Sequence, residues 1–391
     1  MLGARVLDLS ESITGAYAGR LLAAMGAAVI LGEPAGGAPL RSAPPLVRTD
    51  AGTRSATWEY LGAMKASMIV PSDEHELIEL AGRFDLVLLA TDGPSGPLGR
   101  LAERMRRGHA QLSVVVVTPF GLTGPYAAWR AGPLELWAVG GHMGLTGSPD
   151  RHPLPGGGPW ESYLVGATAA VAAQAALLQP TGVLVDVGAM QALVAGHQWS
   201  ITAYTHMGYV KKRAGNRLGE MHHPICIYPC SDGWMCIAAA SLHQWESLCI
   251  AMDRVELLAD DTLANAAARF DRADELDQII QAWTSTLTVA EAVDACQANF
   301  CPAGPVNDFL DVFASEQLAF RDYWAAAAHL GQAVVMPGVP FRLPSTPSWA
   351  PAPALGVQGK MAVTPGAPPA PRAAADGPAR SEAGSLAGFR P

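Results

Sequence analysis

Charge is scarce in this chain: 16% of its 391 residues are Asp, Glu, Lys or Arg, while 50% are hydrophobic. A disordered chain needs the opposite balance, so the main body folds and buries an extensive interior or an oligomer interface. Lys and Arg form no run and the net charge is -9. Neither a nucleic-acid groove nor an anionic membrane surface is indicated, which leaves small molecules or another subunit as partners. The opening, MLGARVLDLSES, lacks the basic region and apolar stretch of a signal peptide. The uncharged run over 163–178 falls short of the ~20 residues a membrane span needs. The expectation is a cytoplasmic protein with no membrane contact.

Cysteine is also sparse. The six stand at 226, 230, 236, 249, 296 and 301 without an export signal, so reduced thiols are expected. His222, His223, Cys226 and Cys230 in HHPICIYPC form the one cluster that suggests zinc. Its spacing is not that of a finger, no second ligand pair follows, and the segment alternates like a strand. Core thiols are expected there, and no metal. A phosphate-binding GxGxxG is missing too: the first strand-to-helix turn reads SESITGAYAG, which argues against a dinucleotide oxidoreductase.

What the chain does contain is a repeated unit of apolar run, Gly or Pro turn and helix-like segment. Strands are expected at 5–9, 28–33, 67–70, 84–90, 112–118 and 183–187. Continuous apolar runs separated by helices predict a doubly wound, Rossmann-like α/β domain with a parallel sheet covered on both faces. Ligands in such sheets sit outside the carboxyl ends of the strands, here LDLSESITG, ILGEPAGG, LLATDGPSG and VVTPFGLTGP. The length suggests about two domains. One long helix is predicted over 189–208, and a turn-like basic linker over 209–224. A smaller α+β domain over 225–307 opens with a hairpin turning at Ser231–Gly233 and continues with helices near 243–252, 272–285 and 289–299. From 364 to 391 Pro, Ala and Gly dominate, the mark of a linker or tail.

The stretch PGGGPWESYLVGATAAVAAQAALL, 155–178, reads as a glycine-rich loop feeding a helix. Pro159 and Glu161 supply the start signals, and the small residues behind them allow other backbone to approach closely. The helix should therefore be central.

Several segments together resemble the class III CoA-transferase (CaiB/BaiF) family. They are RVLDLSESITGAYAGRLLAAMGAAVILGEPAGGAPLR, VVVTPFGLTGPYA, GGHMGLTGSPDRHPL, YPCSDGWMCIAAASLHQWESL, CPAGPVNDFLDVFASEQLAFRDYW and PGVPFRLPSTPSWAPAPALG. The resemblance implies a large Rossmann-like domain over 1–208, completed by 325–363 within a return segment over 308–363. It also implies a small inserted domain and two interlocked subunits, as a homodimer or a heterodimer with a related chain. The substrate it implies is coenzyme A in the form of an acyl-CoA, with a carboxylic acid as acceptor and no permanently bound cofactor. CoA would touch the first-strand loop at Glu11, Ser12, Ile13 and Thr14, then Arg41, and the strand end at Lys65 and Ile69. Arg41 could pair with a CoA phosphate, although a surface arginine on a turn would read the same way.

The implied chemistry is nucleophilic carboxylate catalysis: an Asp attacks the acyl-CoA, giving a mixed anhydride and CoA thiolate, and CoA leaves on a new acid. In similar proteins that Asp stands four residues before a glycine, which is Gly166 here, so the position is Ser162. Two further departures are Ile13, in place of a substrate-contacting Gln, and the flap GNRLGEMHHP, where Gly219 alone survives. Glu161 is adjacent and could present its carboxylate instead, or could simply favour the helix dipole. Ser162 as nucleophile would need a base, for which His142 in GGHMGLTG is the candidate. Asp8 is expected to cap a turn, and Asp186 to be structural. CoA transfer between carboxylic acids is the default reading. The alternative is a catalytically silent CoA-binding partner, or half of a tandem protein. Racemisation of a 2-methylacyl-CoA would need a His and Asp pair, which Gly132 and Ser162 do not provide.

Overall fold

The computed structural model describes residues 3–49, 52–218, 222–330, 335–343 and 347–356. Gly219 and the expected tail over 364–391 lie outside the described residues. In chain order come β1 (Arg5–Asp8), α1 (Ile13–Ala24), β2 (Ala28–Glu33), and a hairpin of β3 (Leu46–Thr49) and β4 (Gly52–Ser55). Next are α2 (Ala56–Leu61), β5 (Ala66–Ile69), α3 (Glu74–Ala81), β6 (Leu86–Ala90), α4 (Ser95–Gly108) and β7 (Ser113–Thr118). After these run α5 (Pro133–Val139), α6 (His142–Leu145), α7 (Trp160–Leu177), β8 (Leu184–Gly188), α8 (Ala189–Ala195) and α9 (Gln198–Met207).

The six expected apolar runs form one sheet in the order β5-β2-β1-β6-β7-β8, every pair parallel. All residues of β6 and β7 are buried because helices cover both faces, which is why these strands read as unbroken Val and Leu rather than as alternation. The pleat sends neighbouring residues to opposite sides. Leu88, Val115 and Val117 join α1 and α7 in one core, whereas Val87, Val114 and Val116 meet Ile78, Ala102 and Met105 of α3 and α4 in the other.

The Ala-rich helix α7 lies against α1 and the sheet, with Val165, Ala169, Ala170, Ala173 and Ala176 buried. A Cβ on Gly166 would stand 2.6 Å from the Thr14 carbonyl oxygen, so the two helices pack backbone against backbone. The single helix expected over 189–208 is instead two. Gly196 and His197 break it, their N–H groups closing tight turns onto Leu193 and Val194. Gly196 is the C-terminal cap of α8, and Leu193 seats against Gly140 just past α5, where a Cβ would come within 3.0 Å. Beyond that contact α9 turns away with Trp199, Tyr204 and Met207 exposed.

A separate core gathers β9 (Ile225–Pro229), β10 (Trp234–Ala238), α10 (Leu242–Ala251), α11 (Ala266–Asp271), α12 (Ala273–Thr284), α13 (Val289–Ala298) and β11 (Ala303–Pro305). The β9–β10 hairpin turns where expected, Cys230 N–H donating to the Gly233 carbonyl at 2.8 Å. The wholly buried Arg269 ties this unit together, donating to the carbonyls of His223, Leu263 and Ala240. After α14 (Phe309–Phe313) and α15 (Glu316–Phe320), β12 (Trp324–Ala326) pairs with β13 (Val335–Pro337). The last described residues return to the sheet. Arg20 donates to the Pro337 carbonyl, Met64 N–H to Ala350, and Gly356 N–H to Ser67 Oγ. Among the described residues no helix is long and apolar enough to cross a membrane.

Candidate active site

The carboxyl ends of β1 and β6 and the first turn of α7 meet on one rim of the sheet. Ser12 caps α1, its Oγ accepting from Gly15 N–H at 3.4 Å, which fixes the loop that follows β1. In that loop Ser12 and Thr14 are buried, Ile13 is half-buried and Glu11 is exposed. A Cβ on Gly15 would meet Ala90 at 2.7 Å, so the loop lies directly against the end of β6. Across it, Tyr163 of α7 packs edge-on against Tyr17 of α1, with ring centroids 4.9 Å apart.

Glu161 occupies the first turn of α7 and is 2% exposed. Its hydrogen-bond partner among the described residues is its neighbour, Ser162 Oγ donating to Oε1 at 3.1 Å, and no cation pairs with it there. A buried carboxylate is costly unless compensated. Here the compensation is the helix N-terminus and one hydroxyl. Among the described residues no guanidinium or ammonium neutralises it.

His142 is placed differently from Ser162. Its ring stacks on Trp137 with centroids 4.3 Å apart and lies 4.0 Å from His197, while the Ser162 hydroxyl turns to Glu161. Burial, then the neighbouring charges of His142 and Lys211, pull His197 below the usual imidazole range. The structure thus brings Glu161 and Ser162 together but makes no hydrogen bond from either to His142.

Two of the expected CoA-contacting cations are committed inside the fold. Lys65 Nζ donates to Asp8 Oδ2 at 2.9 Å and to the Ala16 carbonyl at 2.8 Å, both side chains fully buried. Arg41 grips Glu33 in a fork, Nε to Oε2 at 2.6 Å and Nη2 to Oε1 at 2.8 Å, and stacks 4.0 Å over the Trp58 ring. Burial pushes Glu33 up, but the Arg41 and Ser67 hydrogen bonds outweigh it and hold the carboxyl below its ordinary range. A cavity of about 460 Å³ opens beside this cluster, lined by Arg41, Arg54, Trp58, Glu59 and His329. Arg54 and His329 there both engage Glu59. Ile69 is half exposed at the strand end. Asp8 also accepts Ser10 N–H at 3.1 Å, as expected of a turn cap, and Asp186 accepts Leu122 N–H.

The histidine and cysteine cluster resolves into a different set. His223 and Cys226 approach Asp277 rather than Cys230, with ligand atoms within 4.8 Å of one another. Asp277 is already held by Arg217 and by the Tyr228 hydroxyl at 2.6 Å. Burial pulls His223 down to about 4 and pushes the Cys226 thiol up to about 11. This is an internal hydrogen-bonding cluster that ties the segment before β9 to α12.

One residue at the rim escaped the reading of the sequence. Asp92, just beyond β6, is exposed on the surface, and partial desolvation together with the charge of Glu161 raises its carboxyl above the usual range. LLATDGPSG is evident as a ligand-facing strand end, but its proximity to a residue 69 positions later (161 less 92) has no local signature.

Residues 1–359 match the family model for CoA-transferase family III. The chain is 30% identical over 365 residues to the succinate–glutarate CoA-transferase of Agrobacterium fabrum, covering 88% of this chain and 90% of that one. It is 31% identical over 369 residues to the succinyl-CoA–D-citramalate CoA-transferase of Chloroflexus aurantiacus, covering 90% of each. A crystal structure of a CaiB/BaiF family protein from Brucella suis superposes with a TM-score of 0.76 at 26% identity, over 91% of this chain and 96% of that one. With a doubly wound sheet, a second small core and a glycine-anchored helix opening on a buried carboxylate, the chain belongs to CoA-transferase family III.

Proposed function

We propose that this protein transfers coenzyme A from an acyl-CoA thioester to a free carboxylic acid, with the Glu161 carboxylate as the group that takes up the acyl chain. The observation that carries this is Glu161 itself, a buried carboxylate with no cation partner among the described residues, at the turn where similar proteins keep an Asp and this chain has Ser162. An Oε atom attacks the thioester carbonyl, the C–S bond breaks, and a glutamyl mixed anhydride and CoA thiolate result. The thiolate then attacks the activated glutamyl carbon and releases the donor acid. The acceptor carboxylate repeats the exchange in reverse, restoring Glu161 and carrying CoA away. Each step trades one activated acyl bond for another, so no outside energy source is needed.

Both relatives named above are CoA-transferases whose names pair succinate or succinyl-CoA with another acid, which makes succinyl-CoA the first donor to test. The acting unit is two interlocked copies. Supporting this, the single chain leaves Phe309, Phe320 and Leu178 more than three-quarters exposed, which a partner would cover. The deciding experiment is incubation with succinyl-CoA and hydroxylamine, followed by peptide mass spectrometry. A hydroxamate on Glu161 supports the assignment; a labelled Ser162, or CoA binding without any label, overturns it. Gel filtration beside it gives the oligomeric state.

A further inference from the structure

The cavity beside Arg41 is built from two stretches far apart in the chain, and both of its walls are fixed. One wall is Arg54, Ser55, Trp58 and Glu59 of β4 and α2. There β4 pairs with β3, and Ser55 Oγ caps α2 by accepting Trp58 N–H at 3.0 Å. The other wall is His329 with residues 351–355 of the returning chain. That stretch is held by Met64 N–H donating to the Ala350 carbonyl at 2.9 Å, Arg41 Nη2 to the Pro353 carbonyl at 3.1 Å and Gly356 N–H to Ser67 Oγ at 3.0 Å. The walls meet at Glu59, which is 1% exposed and holds Arg54 Nη1 at 2.9 Å and His329 Nε2 at 2.8 Å. Trp58 also packs in a buried cluster with Ile13, Tyr17 and Tyr163, so one aromatic layer joins the cavity to the turn that Glu161 opens.

We propose that this cavity docks an oxyanion of the substrates, with the Arg54 guanidinium as the group that receives it. The anion is either the 3′-phosphate of coenzyme A or the second carboxylate of a dicarboxylic acid, since both present charged oxygens that match a guanidinium fork. This rests on an acyl-CoA and a carboxylic acid being the substrates, and it does not depend on which group attacks the thioester. Arg41 is the cation expected here from the sequence, yet its fork is closed on Glu33 and the Pro353 carbonyl. Arg54 differs. Among the described residues its one hydrogen bond is from Nη1 to Glu59, which leaves the rest of the fork uncommitted, and 41% of its side chain is exposed. Its position is set all the same, because Glu59 is buried and held from the other wall by His329. Glu59 in the wall and Glu33 behind Arg41 are both already bonded to these cations, so an entering anion meets uncommitted donors and, among the lining residues, no free acid. The volume of about 460 Å³ has room for a phosphate or carboxylate group together with part of the chain that carries it.

Two sets of measurements, on wild type and on Arg54→Gln, test the site and identify the anion. The first is calorimetric binding of CoA and of dephospho-CoA, which lacks the 3′-phosphate. The second is the concentration of glutarate and of pentanoate, acids of equal length with two carboxylates and one, that half-saturates or half-inhibits transfer from succinyl-CoA. With the phosphate at Arg54, the substitution is expected to weaken CoA about 10-fold, the size of a lost hydrogen bond to a charged group, and to leave dephospho-CoA and both acids unmoved. With the carboxylate there, it is expected to raise the glutarate value about 10-fold and to leave pentanoate and CoA binding unmoved. Equal effects on both members of a pair, or values within twofold throughout, overturn the site. Where Arg54→Gln does not fold, the double variant Arg54→Gln with Glu59→Gln, which strands no buried charge, carries the same comparison. If wild type binds CoA and transfers it while neither pair responds, the Arg54 role alone falls. If wild type neither binds CoA nor transfers it, the substrate reading falls and takes this site with it.

Discussion

Lys65 and Asp8 form an ion pair at 2.9 Å with neither side chain exposed to solvent, beneath the loop that follows β1. Burial pulls the Lys65 ammonium below its usual range, and Asp8 opposes that pull. Lys65→Met should therefore cost about 3 to 5 kcal/mol, because it strands a buried carboxylate. The double variant Lys65→Met with Asp8→Asn should recover most of that loss. Urea unfolding of the three proteins measures it, and a single variant as stable as wild type would show that the pair does not support the rim.

Glu33 gives the acid limb of the stability profile its sign. Its folded pKa is depressed, so its contribution is fully present above the unfolded carboxyl value and is lost as pH falls through the folded one. Between about pH 5 and pH 3 the wild type should lose more stability than Glu33→Gln, in which this term is absent. Denaturant midpoints across that range, with parallel curves for the two proteins as the contrary result, provide the check.

The adjacency of Glu161 and Ser162 makes the catalytic assignment exchangeable between two positions. Glu161→Gln should reduce transfer by more than about a thousandfold, as loss of a nucleophile does. Adding Ser162→Asp to that variant returns a carboxylate to the position that similar proteins use, and transfer should partly recover. Stopped assays with succinyl-CoA and a panel of dicarboxylic acids would show it. Full activity in Glu161→Gln would place the acyl-accepting group elsewhere.

The thiols should separate by burial. Cys226, Cys249, Cys296 and Cys301 are buried, with burial pushing Cys226 up to about 11 and Cys249 up to about 12, whereas Cys236 is exposed. Iodoacetamide applied to the folded protein should modify Cys236 first and leave the four buried sites until denaturant is added. Peptide mapping against time distinguishes this order from uniform labelling.

The sheet was readable because β6 and β7 are buried on both faces, so their apolar runs carry no competing signal. The start of α7 was readable for a local reason as well, since Pro159, Glu161 and the alanines all favour a helix there. Pairings across the chain were not. Lys65 finds Asp8 at a separation of 57 residues, and the Arg41 fork closes on Glu33 across a turn that reads equally well as a ligand site. The break between α8 and α9 falls at Gly196, a helix-ending residue that a reading of one continuous helix over 189–208 passes over.

The absence of a side chain at Gly166 has a mechanical consequence. With Thr14 carbonyl oxygen only 2.6 Å from where a Cβ would be, α1 and α7 cannot slide past one another, and the loop after β1 moves with the Glu161 turn as one block. The glycines that lead into α7 are less tightly packed: a Cβ on Gly157 would touch nothing within 4 Å, while Gly158 sits at φ +87°, in the left-handed region that favours glycine.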